Sequence, residues 1–339
     1  MKGKCVVLNE MKYVYAVYQE RSFTKAAKKM FISQPALSSM VKRAEQEIGA
    51  PIFDRSTMPL TLTKEGKFYI RSIKQIMLLE KNIRTYFDDI QSLNAGSLSV
   101  GGSSFFCSFI LPDLIGKFKA RYPNIAIELL EGNVKELRGG LENESLDLII
   151  ETSVRENDPT LETFFHRNET IILAVPCRYS INQRLSSYQW NGSFNFTDNY
   201  HLHIDVPTVP LIEFRDTPFV LLKEGNDLGT RGIAMCEESG FSPQIAILTD
   251  QILTAANIAA NGVGAVFLRA DLFHYYPIQN KFCLYALGSE LAQRKIFFAA
   301  KKGRYISNAM KTFLHLAGAT QVDGKTAASS TPTKGPAKK

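Results

Sequence analysis

The stretch SFTKAAKKMFISQPALSSMVKRAEQEIGA, Ser22 to Ala50, constrains what this chain can fold into more than any other. It holds two apolar-periodic runs, separated by Phe31-Ile32-Ser33, with Gly49 closing the second. Ser22 or Thr24 suits the N-cap of a helix carrying Phe23, Ala26, Ala27 and Met30. Ser33 suits the N-cap of the next. Pro35 then falls in a first turn, where backbone N–H groups have no intrahelical partner, so it marks a helix start and not a break. This helix is expected to bury Leu37, Val41, Ala44 and Ile48 and to end at Gly49. Its other face reads Gln34, Ser38, Ser39, Lys42 and Arg43. Gln can pair bidentately with adenine, Ser is adaptable, and Lys and Arg neutralise phosphates. Many surface helices carry such residues merely solvated, so this face alone leaves the question even.

The flanking elements sharpen it. Residues 8–21 place Met11, Val14, Tyr15 and Tyr18 on one helical face. After Gly49, Ile52-Phe53 and Leu60-Thr61-Leu62 flank a Ser-Thr-Met-Pro turn and predict a small β-wing. Thr63 then caps a long helix running to about residue 93. Tyr69, Ile76, Ile83 and Ile90 recur every seven residues, with Ile73, Glu80 and Phe87 between them. Such a stripe calls for a partner helix, and Glu80 shortens it. Charge follows the same division. Residues 1–95 hold 16 Lys+Arg against 9 Asp+Glu, which accounts for the whole net charge of +7. A basic head on a neutral body is the electrostatic footprint of a nucleic-acid-binding module joined to something else.

Beyond a hinge at Asn94-Ala95-Gly96-Ser97 the texture becomes alternating strands and helices. LSVGGSS, IAIELLEGN, LDLIIETS, TIILAVP, PFVLLKEGN, QIAILTD and GAVFLRA read as buried strands, with amphipathic helices at about 110–121, 134–143, 229–239 and 251–260. This predicts an α/β body with mostly parallel sheets, divided into two lobes. The expected organisation is multidomain: an α-rich winged helix–turn–helix at 1–66, a linker helix at 64–93 and a two-lobed domain at 96–319. The first lobe is expected at about 96–170 and 270–319, the second at about 171–269. Residues 179–217, with the single tryptophan Trp190, form an unassigned insertion, and Trp190 reads as local packing. Residues 320–339, rich in Lys, Pro, Ser, Thr and Ala, read as a disordered tail.

Catalytic and cofactor signatures are missing. There is no metalloprotease helix motif, no nucleophile elbow and no P-loop, and Gly262-Val263-Gly264 lacks the rest of a dinucleotide turn. The expectation is a non-enzyme with no cofactor and no metal. His166, His201, His203, His274 and His315 do not group as ligands, and His201 and His203 read as solvated. Cys5, Cys107, Cys177, Cys236 and Cys283 are scattered, as suits a reducing cytosol, each reading as a small apolar side chain; a redox-sensing pair is the sharper alternative. With no signal peptide and no membrane-length apolar run, a cytoplasmic protein is expected.

The order of these features resembles the winged helix–turn–helix of the LysR-type transcriptional regulators. The resemblance rests on Ala26-Ala27, the run Ser33-Gln34-Pro35-Ala36-Leu37-Ser38, Glu45, Gly49, Phe53, Arg55 and Leu62-Thr63 followed by Gly66. Met30, Val41, Ala44, Ile48 and Ile52 keep apolar character where the family has other aliphatic residues, and Ala44 is smaller than usual. The later alternation resembles the family's two-lobed effector domain, similar to periplasmic binding proteins. The resemblance implies a regulator that binds double-stranded DNA as a homodimer or homotetramer. A small-molecule effector, a carboxylate or other anion, would bind between the lobes. It would put Gln34, Pro35 and Ser38 near base edges and Thr24, Ser39, Lys42, Arg43 and Arg55 on phosphates, with Ser33 also in the DNA-binding set. Tyr69, Ile73, Ile76, Ile83, Phe87 and Ile90 would form the dimer helix. Strand ends would supply the effector site: Ser103, Ser104, Phe105, Glu131, Thr152, Ser153, Lys223, Thr249 and Phe267. For any one Ser or Thr of that set, helix capping is an equal reading.

Two other readings compete. A solute-binding or enzymatic α/β protein with a basic docking head would need a convergent acid–base or nucleophile set in the cleft, and none is visible. A purely architectural DNA binder would leave the two-lobed body without a role.

Overall fold

A computed structural model describes residues 7–91, 96–153, 158–190, 195–196, 202–203 and 206–322; for residues 7–9, 84, 88–91, 195–196 and 202–203 it describes the backbone only. The chain divides into two compact units, residues 1–87 and 88–339.

The N-terminal unit is built from α1 (Val7–Glu20), α2 (Phe23–Lys29) and α3 (Gln34–Ile48), then β1 (Phe53–Asp54), β2 (Thr61–Leu62) and the long α4 (Lys64–Gln91). The caps fall where the sequence puts them. The Ser22 hydroxyl accepts from the Lys25 N–H, and that of Ser33 accepts from the Ala36 N–H at 3.3 Å. Gly49 adopts φ 71°, the left-handed region that favours glycine. Met11, Val14, Val17, Ala26, Ala27, Leu37, Val41 and Ala44 close one core with Ile52, Phe53, Ile70 and Ile73. Each large aliphatic side chain buried there contributes about 1.5–3 kcal/mol. Ile48 departs from expectation and stays exposed, as the last residue of α3 before its Gly49 cap. Gly66 has a steric reason: a Cβ there would lie 1.9 Å from the Ile52 carbonyl oxygen.

The second unit opens with β3 (Gly96–Gly102), a π-helical turn at Phe106–Ile110, α5 (Leu111–Arg121), β4 (Ile125–Glu131), α6 (Val134–Glu142) and β5 (Leu148–Glu151). Next comes β6 (Leu161–Pro176), which runs through both lobes. In the first lobe β4, β3 and β5 are parallel, and β14 (Gln293–Lys301) lies antiparallel between β5 and the first half of β6. In the second lobe β11 (Gln244–Thr249), β10 (Pro218–Leu222) and β12 (Ala265–Arg269) are parallel. There β12 and β13 (Phe282–Ala286) flank the second half of β6, both antiparallel to it. The sheets are therefore mixed and not mostly parallel.

Helices α8 (Asp227–Glu238) and α9 (Ile252–Ala260) pack on the second lobe, and α11 (Asn308–Leu316) on the first. The short α7 (Ile181–Arg184) and α10 (Leu272–Tyr275) complete the α-helices among the described residues. β7 (Gln189–Trp190) pairs with β13 and buries Trp190, while β8 (Asn195–Phe196) pairs with β9 (Leu202–His203). His201 lies outside the described residues, as do Cys5, Asn94 and Ala95; the side chain of His203 does too.

Two boundaries are corrected. β13 belongs to the second lobe's sheet, so the chain returns to the first lobe between Ala286 and Gln293 and not at 270. The expected tail begins later than 320, because β15 (Thr320–Gln321) pairs with Phe165 and Phe164 of β6. The rest of the tail, from 323, lies outside the described residues.

Candidate nucleic-acid interface and lobe cleft

On the N-terminal unit, Thr24, Ser33, Gln34, Pro35, Ser39, Lys42, Arg43 and Arg55 are exposed and Ser38 is half-buried. The buried stripe of α3 faces the core, so Gln34, Ser38, Lys42 and their neighbours stand on its free side. Two of the expected phosphate ligands also have internal work. Arg43 reaches the buried carboxylate of Glu10 at 3.4 Å. Arg55 pairs with Glu45 at 3.0 Å and lies over the Phe23 ring, 5.2 Å from its centroid. Glu45 in turn accepts the Ile52 N–H at 2.9 Å, which ties α3 to the wing. Arg55 is thus a wing strut as well as a surface cation.

The helix stripe needs correction. Ile73 is fully buried in the core of this unit, and Tyr69 and Ile76 pack against the same core. A helix starting on a three-helix core must bury its first turns there, so its early apolar positions are spent before any second chain arrives. Leu79, Ile83 and Phe87 remain exposed, Ile83 by 53% and Phe87 by 55%. The side chain of Ile90 lies outside the described residues.

In the second unit a cleft forms where the C-terminal ends of β3, β5, β10 and β12 meet the helix starts that follow them. Its volume is about 90 Å³, room for a handful of atoms. Of the expected residues, Ser103, Phe105, Thr152 and Ser153 line it. Five do not. Ser104 is half-buried outside the lining. Glu131 is exposed at the end of edge strand β4. Lys223 is exposed and pairs with Asp250 at 2.8 Å. Thr249 uses its hydroxyl to accept the Gln251 N–H. Phe267 is core: it stacks on Phe219 at 5.6 Å and lies where any Cβ on Gly232 would collide. Strand alternation explains the last case, since every second residue of β12 points into the layer beneath the helices.

The charged residues of the cleft were not expected. Glu151, Asp227, Arg269 and Arg294 all line it. Arg294 of β14 sits directly opposite Glu169 of β6, and both Arg294 and Arg269 pair with the Glu169 carboxylate. Arg294 also reaches Asp227 at 2.7 Å. Asp271 accepts from Arg167 at 2.7 Å and from Arg269 at 2.8 Å. Burial opposes the charge on Asp271, but Arg269 and Arg167 outweigh it and hold the carboxyl below its ordinary range. Burial likewise opposes the Arg294 cation, and Glu169 and Asp227 outweigh it. The Arg269 guanidinium rests 3.6 Å from the centroid of the Phe105 ring. Thr152 of the first lobe approaches Asp227 of the second at 3.4 Å. Glu151 is different. One oxygen accepts from Arg138 at 2.8 Å, while Oε2 is buried without a hydrogen bond, and burial pushes the carboxyl upward against the pull of Arg138. The usable sequence signal was a single arginine inside each of two apolar strand runs, AVFLR and QRKIFFAA.

Family comparison decides the class. Residues 8–67 match the bacterial regulatory helix-turn-helix protein, lysR family, and residues 91–321 match the LysR substrate binding domain. The chain belongs to the LysR family of transcriptional regulators. It is 29% identical over 313 residues to the uncharacterized HTH-type transcriptional regulator YcgK of Bacillus subtilis, covering 90% of this chain and 92% of that one. It is 32% identical over 319 residues to a probable RuBisCO transcriptional regulator of Porphyra purpurea, covering 90% and 91%. Among solved structures, full-length OxyR from Pseudomonas aeruginosa aligns with TM-score 0.61 at 21% identity, covering 92% of this chain and 93% of that one. CbnR complexed with its target DNA aligns with TM-score 0.54 at 17% identity, covering 92% and 98%. These structures share the fold: a helix–turn–helix domain followed by a two-lobed α/β domain. No helix among the described residues is long and apolar enough to cross a membrane.

Proposed function

We propose that this LysR family member is a cytoplasmic, sequence-specific DNA-binding regulator, acting as a homodimer or dimer of dimers and controlled by a small effector in the lobe cleft. The observation that carries the DNA reading is α3: one face closes the core of its unit, and the other presents Gln34, Ser38, Ser39, Lys42 and Arg43 outward. Gln34 and Pro35 in the first turn would approach base edges, with Ser38 one turn on; Thr24, Ser33, Ser39, Lys42 and Arg43 would follow the phosphates. Exposed apolar side chains support self-association: Leu79, Ile83 and Phe87 on α4, Leu129 and Leu130 on edge strand β4, and Ile245, Ile247 and Leu248 on edge strand β11.

Binding of fluorescent duplexes at several salt concentrations tests the assignment. Gln34→Ala should relax preference at one base pair by about 1–3 kcal/mol, while Lys42→Ala should weaken every duplex and lower the salt slope by about 1. Lys42 is the better probe than Arg43, because Arg43→Ala would also strand the buried Glu10 carboxylate. An unchanged base profile for Gln34→Ala would remove α3 from the base-reading role.

The effector proposal follows from the charge arrangement. Arg269 and Arg294 are already engaged by Glu169, Asp227 and Asp271, whereas Glu151 Oε2 and the Ser153 hydroxyl are buried polar groups with no hydrogen bond. The fitting ligand brings a donor, a hydroxyl or ammonium, to Glu151. A carboxylate end would lie at the first turn of α9, whose cap residue Gln251 makes no side-chain cap bond. Such a ligand would act only through its differential affinity for two lobe arrangements.

Thermal-shift screening of small carboxylic acids with and without an added hydroxyl or amino group tests this. The donor-bearing acids should raise Tm, by about 2–4 °C per kcal/mol of linkage. Glu151→Ala should weaken those same acids by about 10- to 100-fold. Equal response to acids lacking the donor would contradict the assignment.

A further inference from the structure

Cys177 and Cys283 are 106 residues apart in sequence, yet their sulfurs lie 3.8 Å apart. The topology accounts for this. β6 ends at Pro176, opposite Phe282, and Val175 pairs with Cys283. The ladder continues one step further, since the Cys177 N–H donates to the Lys281 carbonyl at 3.0 Å. Cys177 and Cys283 therefore project from the same face of adjacent antiparallel strands, on a diagonal that brings long or polarisable side chains into contact. Both sulfurs are reachable: Cys177 is exposed and Cys283 half-buried. The other described cysteines differ. Cys107 and Cys236 are buried, and burial pushes their thiols up to about 11 and about 12.

We propose that Cys177 and Cys283 form a reversible intramolecular disulfide when the protein meets a hydroperoxide, making the outer end of the second lobe a redox-modification site. This is independent of the effector and DNA assignments. Cys177, the more exposed thiol, reacts first. Its thiolate sulfur attacks a peroxide oxygen, the O–O bond breaks, and the alkoxide or hydroxide leaves and takes up a proton. Cys177 becomes a sulfenic acid. Burial and the neighbouring Cys177 hold the Cys283 thiol up at about 11, so it keeps its proton and serves as the resolving group. The Cys283 sulfur then attacks the Cys177 sulfur, the S–O bond breaks, and the hydroxyl leaves with the Cys283 proton as water. Two thiols give up two electrons and two protons, and the hydroperoxide becomes an alcohol and water. The sulfurs must close by about 2 Å to reach bonding distance. Cys177 sits just past the last residue of β6, in a turn, where rotation about its side chain and a small backbone shift can supply that movement. The closed bridge pins the entry of β6 into the loop region to the start of β13, enclosing β10, α8, β11, α9 and β12 in one covalent loop.

The test uses the reduced full-length chain treated with a slight excess of hydrogen peroxide, followed by differential alkylation and peptide mass spectrometry. The expected result is loss of two of the five thiols, a linked Cys177–Cys283 peptide pair, and recovery of both thiols with dithiothreitol. Cys283→Ser should leave Cys177 as a sulfenic acid that dimedone traps, and Cys177→Ser should leave Cys283 reduced. Three results would overturn the proposal: Cys177 over-oxidised with Cys283 still reduced in the unaltered chain, Cys177 bridged to Cys5 or to a second chain, or both thiols still alkylatable after treatment.

Discussion

Glu169→Ala is expected to destabilise the two-lobed unit by about 3–5 kcal/mol. The Glu169 side chain is 1% exposed and stands on β6 where that strand passes between lobes. Removing it takes one carboxylate from each of two buried cations, leaving Arg269 with Asp271 and Arg294 with Asp227. The cost is more than that of a cavity, because two buried cations each lose one of the carboxylates that offset their desolvation. Urea unfolding followed through Trp190 fluorescence measures it well, since the single tryptophan is buried in the second lobe against β13. A second variant isolates the cause: Glu169→Leu combined with Arg294→Met should recover part of the loss by removing a charge together with its partner. A change below about 1 kcal/mol in Glu169→Ala would mean that water reaches the cluster and the lobes are not joined through it.

The second large effect is on pH. His166 of β6 is largely enclosed, and burial, with Arg167 nearby, lowers its pKa from 6.5 to about 4. Its Nδ1 lies 2.9 Å from the Ala317 carbonyl, which can only accept, so the neutral ring carries its proton on Nδ1. In the folded protein the ring stays neutral down to about pH 4, while in the unfolded chain it takes up a proton below 6.5. The stability it contributes is therefore complete above pH 6.5 and is lost as pH falls toward about 4, a loss of about 3 kcal/mol. His166→Phe should flatten this part of the stability profile relative to the unaltered chain. A His166 imidazole resonance, assigned by its loss in His166→Phe, that titrates near 6.5 in the folded protein would contradict the prediction.

The N-terminal unit was legible because its signals are local. Ser33, Pro35 and Gly49 act through the backbone within one turn of themselves, and the spacing of Leu37, Val41 and Ala44 states which face is buried. The cleft was far less legible. Its charged members come from three separate strand ends and one helix start and are joined only by tertiary pairing, so Glu151, Asp227, Arg269 and Arg294 read in isolation as ordinary surface charges. The first half of β6, LETFFHRNE, was missed for the same reason: Arg167 and Glu169 point inward and are satisfied by residues more than a hundred positions away. β14 carries a charged start, QRK, which hid its continuation into IFFAA. Ile73 shows the converse error. A heptad stripe cannot say whether its partner is another chain or the domain beneath it, and here the first turns of α4 belong to the latter.

The most direct test of the regulator assignment is selection of bound duplexes from a random DNA pool by the purified full-length chain at moderate salt. The expected result is recovery of a partly palindromic site, two half-sites about one helical turn or a multiple apart, with the preferred bases shifting in Gln34→Ala. Recovery of duplexes with no shared sequence, bound only in a salt-sensitive manner, would contradict it and reduce the basic N-terminal unit to an electrostatic anchor.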